Sequence, residues 1–80
     1  MYLLFTTNTC PNCKLVKARL EERDLQYQII NASEPEGLAL AREHQIAHVP
    51  TLIELDASGN TLHSFYGIDE IEELLAEIKV

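Results

Sequence analysis

The stretch Tyr2 to Leu20, YLLFTTNTCPNCKLVKARL, holds the pattern from which the rest of the chain can be read. It opens on Tyr2-Leu3-Leu4-Phe5-Thr6, a short aromatic-rich apolar run ending in polar residues, which predicts a buried strand. Beyond Pro11, residues Leu15, Val16, Ala18 and Leu20 recur with lysines and an arginine between them, which predicts a helix. Pro11 suits its first position, because the N–H that proline lacks has no partner there. Cys10-Pro11-Asn12-Cys13 stands where strand and loop give way to helix.

Outward from this stretch, Gln26 to Ile30 is expected as a second strand and Asn31 to Pro35 as a turn-rich connection. Glu36 to Gln45, with Leu38, Ala39, Ala41 and Arg42, is expected as a second helix. Thr51 to Leu55 and Thr61 to Phe65 read as strands joined by the loop Asp56-Ala57-Ser58-Gly59-Asn60, in which Gly59 can take a positive φ. Ile68, Ile71, Leu74, Leu75 and Ile78 mark one face of a closing helix. Asp69 and Glu72, three residues apart, fit a capping arrangement at its start.

The predicted order is β-α-β-α-β-β-α. The first βαβ unit should be right-handed with parallel strands, and the short loop makes the last two strands antiparallel. The expected architecture is an α/β sandwich: a four-stranded mixed sheet with helices on both faces. No repeat or linker interrupts it. A chain of 80 residues leaves no room for a second core, so residues 1–80 are expected to form one domain.

With 46% hydrophobic and 24% charged residues, the composition is that of a globular domain rather than a disordered one. A formal net charge of −7 argues against nucleic acid, whose phosphates need a basic stripe, and against an anionic membrane surface. The apolar start, Met1 to Phe5, has neither the basic flank nor the cleavage site of a signal peptide and is too short to span a membrane. The expected compartment is therefore the cytoplasm, where structural disulfides are rare. Two cysteines at this spacing are then expected to be catalytic or metal-binding, since so small a loop would restrain the unfolded chain little.

Pro11 at the first helical position makes Cys10 the N-cap. Unsatisfied N–H groups and the positive end of the helix dipole there favour thiolate over thiol. Cysteines so placed reach a pKa of about 3.5–7.5, against about 8.5 when free. Lys14 and Lys17 add positive potential. Cys13, one turn further in, is expected to be more buried and neutral. Disulfide exchange uses this asymmetry: one thiolate attacks a disulfide, and its neighbour then resolves the mixed disulfide. Val49-Pro50-Thr51 is the second informative segment, because a proline opening a strand cannot donate to the ladder and must lie at an end or an edge.

Cys10-Pro11-Asn12-Cys13, Val49-Pro50-Thr51 and Gly67-Ile68-Asp69 together resemble a glutaredoxin or small redoxin of the thioredoxin superfamily, over nearly the whole chain. The resemblance implies a minimal thioredoxin (glutaredoxin-like) fold. It implies a dithiol–disulfide oxidoreductase with no cofactor beyond a redox-active Cys10–Cys13 disulfide. Cys10 would be the nucleophile and Cys13 the resolving thiol. Pro50 would be cis and face the sulfurs, and the Val49 backbone would pair with the substrate chain as a strand does. Pro11, Asn12, Val49, Pro50, Thr51, Tyr66, Gly67 and Asp69 would form the substrate surface, with Lys14 and His48 placed to tune Cys10. In length and in the polar residues of its motif, the chain is most similar to redoxins that donate electrons to ribonucleotide reductases. A monomer acting on a disulfide-containing protein such as ribonucleotide reductase is therefore implied, recharged by a thioredoxin reductase or by glutathione.

Several positions depart from the glutaredoxin pattern. Thr6-Thr7-Asn8-Thr9 holds no Lys or Arg for a glutathione carboxylate, Asn12 replaces the usual Tyr or Phe, and Tyr66 replaces the first of two glycines. Asp69 alone matches the residue that would receive the glutathione amino group. The chain also departs from thioredoxin, lacking a Trp before the motif and carrying Leu4 where thioredoxin buries an acid.

Other readings of single residues stay open at this point. Cys10 and Cys13 are half of a zinc or iron–sulfur ligand set, completed by His44, His48 or His63, or by a second chain across a dimer. His48 is a tuning group or a solvated loop residue, Asp69 a ligand contact or a helix cap, and Tyr66 a substrate contact or packing. The acidic run from Asp69 to Glu73 is most simply a solvated helix face favoured by the dipole.

Overall fold

The computed structural model describes residues 1–23 and 25–77. The elements are β1 (Tyr2–Thr6), α1 (Pro11–Glu22), β2 (Tyr27–Asn31), α2 (Pro35–Glu43), β3 (Thr51–Leu55), β4 (Thr61–Tyr66) and α3 (Gly67–Glu77). The sheet order is β2-β1-β3-β4. β1 pairs in parallel with β2 and antiparallel with β3, and β3 pairs antiparallel with β4. The architecture is the expected mixed α/β sandwich.

β1 explains why its sequence is continuously apolar rather than alternating. It is a central strand buried on both faces. Leu4 points into a core with Val16 and Leu20 of α1, Leu52 of β3, and Ile71 and Leu75 of α3. Leu3 and Phe5 point the other way, into a core with Ile30, Ala41 and Ile53. Thus α1 and α3 cover one face and α2 the other. Across the α1–α3 seam Arg19 pairs with Glu72 at 3.4 Å, and within α1 it pairs with Glu22 at 3.6 Å. Both pairs are exposed and contribute little.

Element ends differ from the sequence reading for local reasons. β2 runs one residue later than expected, because Asn31 continues the ladder opposite Thr6. α2 begins at Pro35, a second proline at a helix start. It ends before Gln45, which takes a left-handed φ of 57°. The N–H of Gln45 donates to the Arg42 carbonyl at 3.1 Å, and that of Ile46 to the Ala41 carbonyl at 2.7 Å. These are the two bonds that close a helix through a left-handed residue, here without glycine.

β4 continues through Tyr66 directly into α3, so the capping arrangement expected of Asp69 and Glu72 does not form. The helix starts earlier, at Gly67 with φ 78°, and the Glu70 carboxylate accepts the Tyr66 N–H at 3.2 Å. Asp69 lies within the first turn. Ile78 lies outside the described residues. Gly59 has φ 88° in the β3–β4 loop. There the Asp56 carboxylate accepts the N–H groups of Ser58 and Asn60, each at 2.9 Å.

Candidate active site

The strand register gathers the site. Phe5 of β1 lies opposite Thr51 of β3, and Thr51 opposite Tyr66 of β4. The end of β1, the start of β3 and the end of β4 therefore share one edge of the molecule. These ends lead to the Cys10 loop, the Val49-Pro50 segment and Gly67 respectively.

Cys10 is the N-cap of α1, in extended conformation with φ −88° and ψ 105°. Its side chain makes no capping hydrogen bond, and Pro11 follows it in the first turn. Cys10 and Cys13 form a disulfide with their Cα atoms 5.4 Å apart. Cys10 is half-buried, whereas Cys13 is buried with 3% exposure on the face that packs against the sheet. Pro11, Asn12 and Lys14 are exposed around the pair, and Lys17 is half-buried.

The Val49–Pro50 peptide is cis. Pro50 is buried and Val49 half-buried, and Val49 packs against the α2-side core. The Pro50 carbonyl accepts the Gly67 N–H at 2.9 Å. Thr51, expected at the substrate surface, is fully buried: β1 and β4 flank it, and its hydroxyl donates to the His48 carbonyl at 2.6 Å. Tyr66 is 45% exposed. Asp69 and His48 are exposed, and their side chains have no hydrogen-bond or ion-pair partner among the described residues. A shallow, largely apolar depression of about 230 Å³ adjoins Val49, lined by Thr7, Leu38, Ile46, Ala47 and His48 among others.

The pKa values of Tyr2 and Tyr27 are pushed up, first by burial and then by Glu54 and Glu21 respectively. Asp56 is held low, chiefly by the backbone N–H of Asn60.

Residues 1–79 match the family described as the thioredoxin-like domain. The chain belongs to the thioredoxin-like domain family. Solved structures agree on the fold. Thioredoxin 1 from Thermosipho africanus superposes with a TM-score of 0.69 at 20% identity, over 94% of this chain and 85% of that one. Thioredoxin O2 from Arabidopsis thaliana, in its oxidized state, gives 0.73 at 19% identity, over 98% and 74%. An uncharacterized thioredoxin-like protein from Clostridium perfringens gives 0.67 at 27% identity, over 96% and 68%. No curated protein sequence matches the chain.

A thioredoxin-like fold with a cysteine pair at disulfide distance on its first helix supports thiol–disulfide exchange. Among the described residues no three side chains of His, Cys, Asp and Glu gather to hold a metal ion. No described helix of this thioredoxin-like chain is long and apolar enough to cross a membrane.

One feature beside the site was missed by the sequence reading. The Asn31 amide donates to the Asn8 side-chain carbonyl at 2.8 Å, and the Asn8 N–H donates to the Ser33 hydroxyl at 3.0 Å. The Ser33 N–H closes the ring on Asn31 Oδ1 at 2.9 Å. This ring fastens the loop before Cys10 to the turn before α2. Its only sequence signal is Asn and Ser at turn positions, where side chains bond nearby backbone groups.

Proposed function

We propose that this protein is a dithiol–disulfide oxidoreductase that reduces protein disulfides through Cys10 and Cys13. The observation that carries the reading is the asymmetry of the pair: Cys10 is accessible at the N-terminus of α1, and Cys13 is buried one turn in.

In the reduced protein the helix N-terminus favours the Cys10 thiolate. This thiolate attacks one sulfur of the substrate disulfide. A Cys10–substrate bond forms, the substrate S–S bond breaks, and one substrate thiolate leaves. Cys13 gives up its proton and attacks the Cys10 sulfur. The mixed disulfide breaks, a second substrate thiolate leaves, and the Cys10–Cys13 disulfide remains. Two electrons have passed to the substrate, whose two thiolates take up protons from the medium.

The substrate surface is Pro11, Asn12, Val49, Pro50, Tyr66, Gly67 and Asp69, with the partner chain pairing along the Val49 backbone. Lys14 supplies positive potential near Cys10, and His48, two residues before Pro50, tunes it. The chain acts as a cytoplasmic monomer, and a ribonucleotide reductase is the protein partner to test first. A thioredoxin reductase is the proposed reductant. Glutathione carries two carboxylates, and a good site for it needs a fixed cation near the exposed sulfur. The Thr6 to Thr9 segment offers none.

The test supplies the oxidised protein with NADPH and a thioredoxin reductase, or with glutathione and its reductase, and follows NADPH consumption while a protein disulfide is reduced. Faster turnover with thioredoxin reductase is expected. Equal or faster turnover with glutathione makes the protein a glutaredoxin, and no turnover with either removes the oxidoreductase reading.

A further inference from the structure

We propose that Thr51 is a positioning residue, whose buried hydroxyl aims the Val49 N–H at the substrate chain. The inference rests on the oxidoreductase reading and on substrate pairing along Val49.

Thr51 is anchored from both sides. It lies opposite Phe5 on one neighbouring strand and Tyr66 on the other, and it is fully buried. From this fixed point its hydroxyl reaches back three residues to the His48 carbonyl at 2.6 Å. That carbonyl belongs to the same planar trans peptide as the Val49 N–H, and in such a unit the N–H points opposite to the C=O. Drawing the His48 oxygen inward therefore turns the Val49 N–H outward. The following carbonyl that could compete for a substrate, that of Pro50, is occupied by the Gly67 N–H. Among the described residues the Val49 N–H and C=O have no partner. They are one free donor and one free acceptor on the same residue, the requirement for adding an extended strand.

Without the hydroxyl, the His48 carbonyl is under-satisfied and its peptide can rotate. Losing a single neutral hydrogen bond of this kind weakens the docking term by about fivefold. The thiol chemistry is untouched, since Thr51 does not contact the reacting sulfurs through its hydroxyl.

The experiment compares T51V with wild type on two disulfides. One is a disulfide-bonded peptide with several residues on each side of its cysteines. The other is bis(2-hydroxyethyl) disulfide, which has no backbone to dock. T51V is expected to lose about fivefold in second-order rate on the peptide and nothing on the small disulfide. T51S, which keeps the hydroxyl, is expected to retain the wild-type rate on both. T51S and T51A form a second pair that differs only by the hydroxyl, and the peptide-specific loss must appear in T51A alone. An unchanged peptide rate in T51V and T51A overturns the inference. So does an equal loss on both disulfides, which would make the hydroxyl a support for the fold or the thiols. A wild-type protein that reduces neither disulfide overturns the oxidoreductase reading itself, a separate result.

Discussion

The Gly67 N–H donates to the Pro50 carbonyl at 2.9 Å, tying the first residue of α3 to the turn that opens β3. Gly67 holds φ 78°, and a Cβ added there meets nothing within 4 Å. The cost of a side chain is thus purely conformational. Gly67→Ala is expected to lower stability by about 1–2 kcal/mol. Gly67→Asn should lose less, because Asn tolerates the left-handed region. Urea denaturation of the three proteins checks the order.

Gly37 presents the opposite case. It lies within α2, where exchanging glycine for alanine ordinarily stabilises by about 1 kcal/mol. Here a Cβ would collide with the backbone carbonyl of Asn31. The backbone at the end of β2 cannot yield as a flexible side chain would, so overpacking outweighs propensity. Gly37→Ala is expected to destabilise by about 1–3 kcal/mol, read as a fall in Tm.

Gln45 carries the left-handed residue that closes α2. Gln45→Gly removes that strain, with part of the gain returned through a freer unfolded chain. A net stabilisation of about 1 kcal/mol is expected. No gain in the urea midpoint would mean that the exposed Gln45 side chain contributes contacts of equal size.

The two cysteines should differ in reactivity. At neutral pH a slow alkylating reagent is expected to modify Cys10 much faster than Cys13 in the reduced protein, as peptide mapping would show. Cys10→Ser should abolish exchange, and Cys13→Ser should accumulate a mixed disulfide with the substrate. Equal alkylation rates would remove the basis for assigning the roles.

Asp56 gives the β3–β4 turn a pH dependence of known sign. The N–H groups of Asn60, Ser58 and Gly59 hold its carboxyl below the usual aspartate range. The folded state therefore binds this proton more weakly than the unfolded state. The stabilisation is fully present above the unfolded aspartate value, about 3.9, and is lost as pH falls through the lower folded value. Asp56→Asn keeps an acceptor for the same N–H groups but does not titrate. Its stability should fall less steeply than that of wild type below about pH 4, as thermal melts across acid pH would show.

Much of the fold was legible because its signals are local. Pro11 fixes the start of α1, Gly59 marks the hairpin, and the unbroken apolar run Leu3-Leu4-Phe5 marks a strand buried on both faces. The errors fell where the deciding contact is tertiary or a residue acts against its type. A left-handed Gln45 has no propensity signal, and the end of β2 depends on its register with Thr6. The start of α3 depends on Glu70 reaching back to Tyr66, a choice among several acids that spacing alone does not make. At the site, the cysteines were readable from spacing and helix position. The inward turn of the Thr51 hydroxyl was not, because sequence does not say which face of a strand's first residue is covered.

β1 is the wall shared by both cores, with Leu4 on one side and Leu3 and Phe5 on the other. Neither layer of helices can leave without exposing that strand, and that strand cannot leave without dissolving both layers. Local opening therefore has no route to its central amides, and they exchange with solvent only when the whole molecule opens. The slowest-exchanging amides of Leu4 and Phe5 would then report the global free energy of unfolding, serving as an internal gauge for every substitution above.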